Sequence, residues 1–447
     1  MAHLHRPCLV DKTRWRRYRC RRYAPRHDKW SRTLRPFRKW KSPGEVGRGL
    51  VPCCAFNYTG ATTGRAVQLG LKVAITCSWL NQYGGAERVL EVVHDMYPEA
   101  PVYTSMFWPQ AFPPAYRAWD IRTSFMDGLP LVHRHHQWFL PLYPYAFERF
   151  DLSEYDLVLS VTSAFAHGVV TREQTLHICY CLTPARFLWD YHNYAAREGL
   201  SPLVRAVVPF LISNLRLWDR VAAERVDAFV AISRAVQRRI GKHYGRPAEI
   251  VYPPVNVHRI PLSRQRGEHY LIISRLVPYK RIDLAVQAFN ELGLPLWIVG
   301  DGRDRPRLEA MAAANVRFLG RLGDDELPDV LANCRAFVFP GEEDFGIAPL
   351  EAQAAGRPVV AYAGGGALET VIDGQTGVFF RERTAAALAA AVRQLDNINF
   401  DPEAIREHAM RFDRSVFERQ LAELIRSKQA SVAGSQPDHR SPQHGTA

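Results

Sequence analysis

The chain reads as an α/β protein of two Rossmann-like halves, each built on a parallel sheet. Three observations predict this. Short apolar runs recur along most of the 447 residues, each followed by a stretch of helical periodicity. The runs are continuous rather than alternating, as strands covered on both faces require. The paired prolines of IVYPPVN at 250–256 interrupt the series once and divide it in two. Strands that alternate with helices pair in parallel, because each helix carries the chain back to the same end of the sheet.

The first half begins with LKVAITC at residue 71, then a helix from near Ala86, PVYTSMF, DLVLSVT, LHICYCL and AFVAIS. Ser233 is placed to cap a helix over 234–243, since its hydroxyl can accept from a free amide of the first turn. Beyond the prolines come YLIIS, a helix over 281–292, LWIVG, a helix over 304–314, VRFLG and a helix over 324–333. AFVFP at 336–340, a short helix, PVVAY, another helix, GVFF and a helix over 384–397 complete the series. In the short helix Pro349 suits the first turn and Gly356 the stop, which puts Glu351 in that first turn. A last helix is predicted from Ser415, with Glu418 three residues on as a capping box. The expected organisation is a basic leader over 1–70, a first domain over 71–248, a second over 249–412, a helix over 413–428 and a polar, disordered tail over 429–447.

The net charge of +13 suggests nucleic acid until it is located. Residues 1–70 hold 17 Lys and Arg against 3 Asp and Glu, whereas the remainder holds 41 against 42. All the basicity is in the leader, which has no apolar periodicity and no signal-peptide core. It reads as a disordered tail or as a translated stretch ahead of the true start. An Arg-rich presequence, a nucleic-acid arm and an anionic membrane contact are the other readings. Of the eight cysteines, Cys77, Cys179, Cys181 and Cys334 fall in the body, without zinc-site spacing. They read as buried free thiols in a reducing cytoplasm. No run approaches the 18 apolar residues of a membrane span.

The chemistry concentrates over residues 343–369. Glu343 sits just past the carboxyl end of AFVFP, and Glu351 follows after seven intervening residues. Ligands of open α/β sheets bind along that edge. Gly364, Gly365 and Gly366 precede ALETVID, where free backbone amides could receive an anion. Arg275 directly follows the strand YLIIS, with Lys280 five residues on. At an effective dielectric near 20 and ~4 Å, each cation is worth about 4 kcal/mol against one phosphate charge. In the first half, Gly84 and Gly85 open a helix after the first strand, so backbone can approach a ligand closely there.

With FG after the first acid, EA-x-A-x-G-x-PV after the second and GG-x-x-E beyond, this segment resembles the retaining nucleotide-sugar glycosyltransferases of family 4. The resemblance extends over roughly residues 71–425 and implies the two-domain GT-B fold. It assigns Arg275 and Lys280 to the donor diphosphate, Glu343 to the donor sugar and Glu351 to the ribose hydroxyls. The amides of Phe345, Gly346 and Ile347 would reach sugar or phosphate, Arg321 and Leu322 would lie beside the base, and Gly84 with Gly85 would border donor and acceptor. The family often has a histidine after its fourth strand. Here SVTSAFAHGVV has Ser163 at that place and His167 four residues later, a departure that leaves the first-half contact open. His167 has a structural reading beside its sugar-contacting one. CYCLTPARFLWDY is similar to the branch of bacterial O-antigen and exopolysaccharide mannosyltransferases, with Arg186, Trp189 and Asp190 as candidate cleft residues. HRHHQW at 133–138 reads as a basic loop on the acceptor side.

What the resemblance implies is a hexosyltransferase that needs no metal and no cofactor. Its donor would be a GDP- or UDP-hexose, with GDP-mannose foremost, and its acceptor a saccharide or a lipid-linked saccharide. It would work in the cytoplasm at the inner membrane face, and nucleic acid would not be its partner. The stretch at 201–220, with Val204, Val207, Val208, Leu211, Leu215 and Trp218 at helical spacing among arginines, is expected to face either lipid or the core. The alternatives are a GT-B epimerase or phosphorylase, or a nucleic-acid-binding protein acting through the leader.

Overall fold

The computed structural model of the protein describes residues 70–191 and 202–434. The basic leader up to residue 69 and the tail beyond Gly434 lie outside the described residues. Two wholly parallel sheets organise the rest. The first has seven strands: β1 (Val73–Cys77), β2 (Val102–Thr104), β3 (Ile121–Thr123), β4 (Leu157–Thr162), β5 (Leu176–Cys181), β6 (Ala228–Ala231) and β7 (Ala248–Ile250), in the order β3-β2-β1-β4-β5-β6-β7. The second has six: β8 (His269–Ile273), β9 (Leu296–Val299), β10 (Val316–Gly320), β11 (Cys334–Phe339), β12 (Val359–Tyr362) and β13 (Gly377–Phe380), in the order β10-β9-β8-β11-β12-β13. Both sheets reverse direction beside their first strand, which opens a crevice at the carboxyl edge of each.

The main helices are α1 (Gly85–Met96), α2 (Pro202–Ala222), α3 (Arg234–Tyr244), α4 (Ile282–Leu292), α5 (Arg305–Met311), α6 (Leu327–Ala332), α7 (Ile347–Ala354), α8 (Ala385–Asp396), α9 (Pro402–Met410) and α10 (Arg414–Gly434). Ser233 caps α3 as expected, its side chain accepting from Val236 N at 3.2 Å. The strands β1, β4 and β5 are buried at every residue. Their hydroxyls therefore need internal partners. Thr76 donates to Ser160 at 2.9 Å, Ser160 meets His177 Nε2 at 2.6 Å and Ser78 meets Thr162 at 3.2 Å, a polar seam inside an otherwise apolar core. Cys77, Cys179, Cys181 and Cys334 are buried free thiols.

Several local expectations are corrected. Strands β3 and β7 are too short to show as apolar runs, and β7 carries the first sheet to Ile250, into the stretch read as linker. The last helix is capped by Asp413, not Ser415: Asp413 Oδ1 accepts from the Ser415 amide at 3.0 Å and hydroxyl at 2.7 Å, while Glu418 bonds Arg414 instead of closing a box. That helix runs on to Gly434, six residues into the stretch read as tail. It packs on the first half, where Phe417 meets Tyr180 edge-on and Arg414 pairs with Asp95 at 3.0 Å.

The α2 stripe faces the core. Ile212 and Leu215 are buried, and Val208, Leu211 and Trp218 pack against the same cluster. The arginines turn inward too: Arg216 donates to the Leu188 carbonyl at 2.5 Å and Arg220 to the His243 carbonyl at 3.2 Å. What α2 shows outward is Phe210, 77% exposed, Leu217, 67% exposed, and Val221. The side chains of Val204, Arg205 and Val207 lie outside the described residues.

Candidate functional site

The carboxyl edges of the two sheets meet, and the meeting is ionic. After β11 the chain turns through Gly341 to Glu343. A Cβ on Gly341 would lie 2.8 Å from the Lys280 carbonyl, so only glycine lets this loop press against the Pro278–Lys280 turn. That approach joins Lys280 and Glu343 in a short ion pair, with the lysine side chain 13% exposed. Gly346 then starts α7 at φ 96°, a left-handed backbone in which a Cβ would strike the Phe339 ring at 2.9 Å. Glu351 falls one residue beyond the first turn of α7, later than expected.

The first half supplies the partners. Arg88, on α1, donates to Glu351 Oε1 at 2.5 Å and to Asp324 Oδ1 at 2.9 Å. Arg186, opening the single-turn helix Arg186–Trp189, and Arg239, on α3, both form short ion pairs with Asp344. Burial raises the Asp344 carboxyl, but the two guanidinium groups outweigh it and hold it below the usual carboxylate range. Glu369 accepts from the Arg234 amide at 3.0 Å and from the Tyr252 hydroxyl at 3.1 Å. Arg275 donates across the divide to Gln82 at 3.1 Å and, within its own half, to the Tyr279 hydroxyl at 3.1 Å. A Cβ on Gly85 would lie 3.5 Å from Ile347, which measures how closely the glycine turn approaches the start of α7.

The structure thus brings Gly84, Gly85, Arg275, Lys280, Glu343, Gly346, Ile347, Glu351 and Arg186 to one cleft. Arg321 and Leu322 lie in the loop after β10, the same loop as Asp324. The Phe345 ring is a core element, stacked on Tyr252 with centroids 5.6 Å apart. Ser163 lines a cavity of about 30 Å³ beside Glu87, Ser78 and Trp79, at the carboxyl edge of the first sheet. His167 is not brought to the cleft. It is buried with Nε2 3.4 Å from Asp219 Oδ1, and packs on Tyr244 and Trp218. Trp189 is likewise a packing residue, donating to Asp219 at 2.7 Å and stacking on His243. Of the glycine triplet, the Gly364 and Gly366 amides are already bonded to the carbonyls of Tyr362 and Glu343, and the helix that follows is a single turn. The HRHHQW stretch is helical and not the loop expected, falling in the helical turns Val132–His135 and His136–Leu142, where His133 meets Asp127 at 2.8 Å and His136 meets Tyr143 at 3.1 Å.

Arg88, Asp344, Arg239, Asp324 and Glu87 were missed by sequence reasoning. Each acts through a partner in the other half or through burial, and neither is a local pattern. Arg88 and Glu87 do follow the glycine pair directly in GGAER, which is the one signal that could have raised them.

Two doubly wound halves that face each other with their carboxyl edges across a cleft define the GT-B fold of glycosyltransferases. Similar solved structures share it: sucrose-phosphate synthase of Thermosynechococcus elongatus (TM-score 0.61, 17% identity, 80% of this chain and 100% of that one) and HepE of Anabaena in complex with UDP-glucose (TM-score 0.59, 19% identity, 79% and 99%). Residues 256–412 match the family model "Glycosyl transferases group 1", so the second half carries a glycosyltransferase domain. Among curated relatives, a GDP-mannose-dependent alpha-(1-6)-phosphatidylinositol monomannoside mannosyltransferase of Mycobacterium tuberculosis is 30% identical over 243 residues, covering 47% of this chain and 60% of that protein. A D-rhamnosyltransferase of Pseudomonas aeruginosa is 30% identical over 218 residues, covering 46% and 56%. The chain spans 58% of an uncharacterized glycosyltransferase of Methanocaldococcus jannaschii, at 24% identity, and 48% of a Mycobacterium tuberculosis glycogen synthase, at 32%.

Proposed function

We propose that this protein is a retaining glycosyltransferase that moves a hexose from a nucleotide sugar to a saccharide or lipid-linked acceptor, without a metal ion. The observation that carries the reading is the convergence of Arg275, Lys280, Glu343 and the amino terminus of α7 on the glycine turn of α1. Breaking the bond between the anomeric carbon and the diphosphate leaves negative charge on the departing phosphate. Two cations and the positive end of a helix supply what that charge needs, and they are already in place before it develops. Glu343, once its lysine turns to phosphate, is free to accept hydrogen bonds from the sugar. Glu351 does the same for the ribose, and such bonds to an ionised acceptor are the stronger kind.

GDP-mannose is the leading donor, supported by the mannosyltransferase among the relatives; the neighbour that holds UDP-glucose supports a uridine donor. A lipid-linked acceptor fits the exposed Phe210 and Leu217 on α2, which would touch the inner face of the cytoplasmic membrane. Among the described residues, no helix is long and apolar enough to cross a membrane. The test is a panel of nucleotide sugars offered to the full chain, scored by thermal shift and then by mass spectrometry for donor hydrolysis or transfer. Stabilisation and turnover by a GDP- or UDP-hexose, both persisting in EDTA, are expected. Loss of turnover in EDTA that magnesium or manganese restores would overturn the two-cation mechanism.

A further inference from the structure

Glu87 stands in the third position of α1, and its carboxylate folds back over the glycine turn. Its Oε2 lies 3.5 Å from the point a Cβ on Gly84 would occupy, and the residue is only 9% exposed. It lines the small cavity with Ser78, Trp79 and Ser163, and it feels the charge of Arg275, which reaches over from the second half to Gln82. The groups facing it from the packed elements are few. Arg275 comes from the loop after β8, Glu91 from the next turn of α1 and Cys77 from β1, while the Tyr116 hydroxyl bonds the Glu87 carbonyl at 3.2 Å. Nothing in the proposed reaction uses this acid.

We propose that Glu87 is a proton-linked binding residue of the diphosphate site: when a nucleoside diphosphate engages Arg275, Glu87 takes a proton from solvent and, as a neutral acid, donates a hydrogen bond from the first half to a phosphate oxygen. The inference rests on the assignment of Arg275 to the diphosphate. Burial holds the Glu87 carboxyl up at about 7, against the pull of its own amide, of Arg275 and of the Gly84 amide. An arriving diphosphate removes the benefit of Arg275 and adds negative charge in a water-poor site. Both changes favour the protonated form. The sign follows: the bound state holds more protons, so nucleotide affinity is highest at and below neutrality. It falls as pH rises past 7, by up to about tenfold per pH unit.

The plain alternative is that Glu87 only caps α1, as an acid in the third position does. Glutamine serves that cap equally well, so Glu87→Gln separates the two. The experiment is calorimetric titration of the full chain with UDP and with GDP at pH 7.5, in buffers of different ionisation enthalpy. The diphosphate's own second ionisation, near pH 6, is common to both proteins and cancels in the comparison. The expected result is uptake of roughly half a proton by the parent chain, lost in Glu87→Gln, whose affinity no longer falls between pH 7 and 8.5. Binding without proton uptake, or equal uptake in the variant, would overturn the proposal and leave the proposed function standing. Failure of both nucleotides to bind the parent chain would overturn both. Should Glu87→Gln not fold, the parent chain's buffer dependence decides, uptake of roughly half a proton at pH 7.5 supporting the proposal and none overturning it.

Discussion

Replacing Lys280 by alanine removes the cation that the structure holds ready beside Glu343. The lysine side chain is 13% exposed and Glu343 22%, so solvent screens the pair only in part. A single charge at ~4 Å and an effective dielectric near 20 is worth about 4 kcal/mol. Part of this is offset, because Lys280 must leave Glu343 to meet a phosphate. A net loss of roughly 3 kcal/mol corresponds to about two orders of magnitude in turnover. The variant also leaves Glu343 without its cation, which would depress activity indirectly. The double variant Lys280→Ala with Glu343→Gln removes that complication when affinity for the released nucleoside diphosphate is read, since that product lacks the sugar assigned to Glu343: a structural role predicts recovery of this affinity, a leaving-group role predicts none. Initial rates of nucleoside diphosphate release give turnover, and calorimetry gives affinity for the released nucleotide, which keeps its charge and should weaken in parallel. Near-parent turnover in Lys280→Ala would refute the reasoning, as would recovery in the double variant.

Glu351→Gln should weaken donor binding with modest loss of maximal rate, whereas Glu343→Gln should depress the chemical step; identical kinetic signatures would dissolve the division of roles. Asp344→Asn should destabilise the chain by about 3 kcal/mol at neutral pH, because two half-buried arginines lose their shared partner. The Asp344 carboxyl is depressed in the folded state, so its contribution is complete above the ordinary aspartate range and fades as pH falls through the lower folded value. Denaturant midpoints of the two proteins should therefore differ at pH 7 and draw together as pH falls below the ordinary aspartate range; a constant gap would discount the ionic account.

The parallel architecture was legible because runs such as LVLSVT and AFVFP are buried throughout and have no solvent-facing side to interrupt them. The acids and cations of the second half were legible because a strand's carboxyl end is fixed by its own sequence. What stayed hidden depends on how one half meets the other. Nothing near Arg88 announces that Glu351 will be its partner, and nothing near Asp344 announces Arg186 and Arg239. The α2 stripe was open for a different reason: apolar spacing on a helix specifies that a face is covered and is silent on whether protein or lipid covers it. His167 shows the same limit, since a histidine beside a strand end looks alike whether its ring turns to the cleft or to Asp219.

On the role proposed for Glu351, its contact with Arg88 makes nucleotide affinity an exchange reaction. A ribose that takes both oxygens of the Glu351 carboxylate displaces the guanidinium from Oε1, so the observed affinity is the difference between a bond gained and a bond surrendered. Variation at Arg88 or at its second partner Asp324 would then shift the donor concentration at which the enzyme half-saturates, in residues that need never touch the donor. Descendants of such a chain could retune their appetite for nucleotide from the opposite wall of the cleft, leaving the recognition surface itself unaltered.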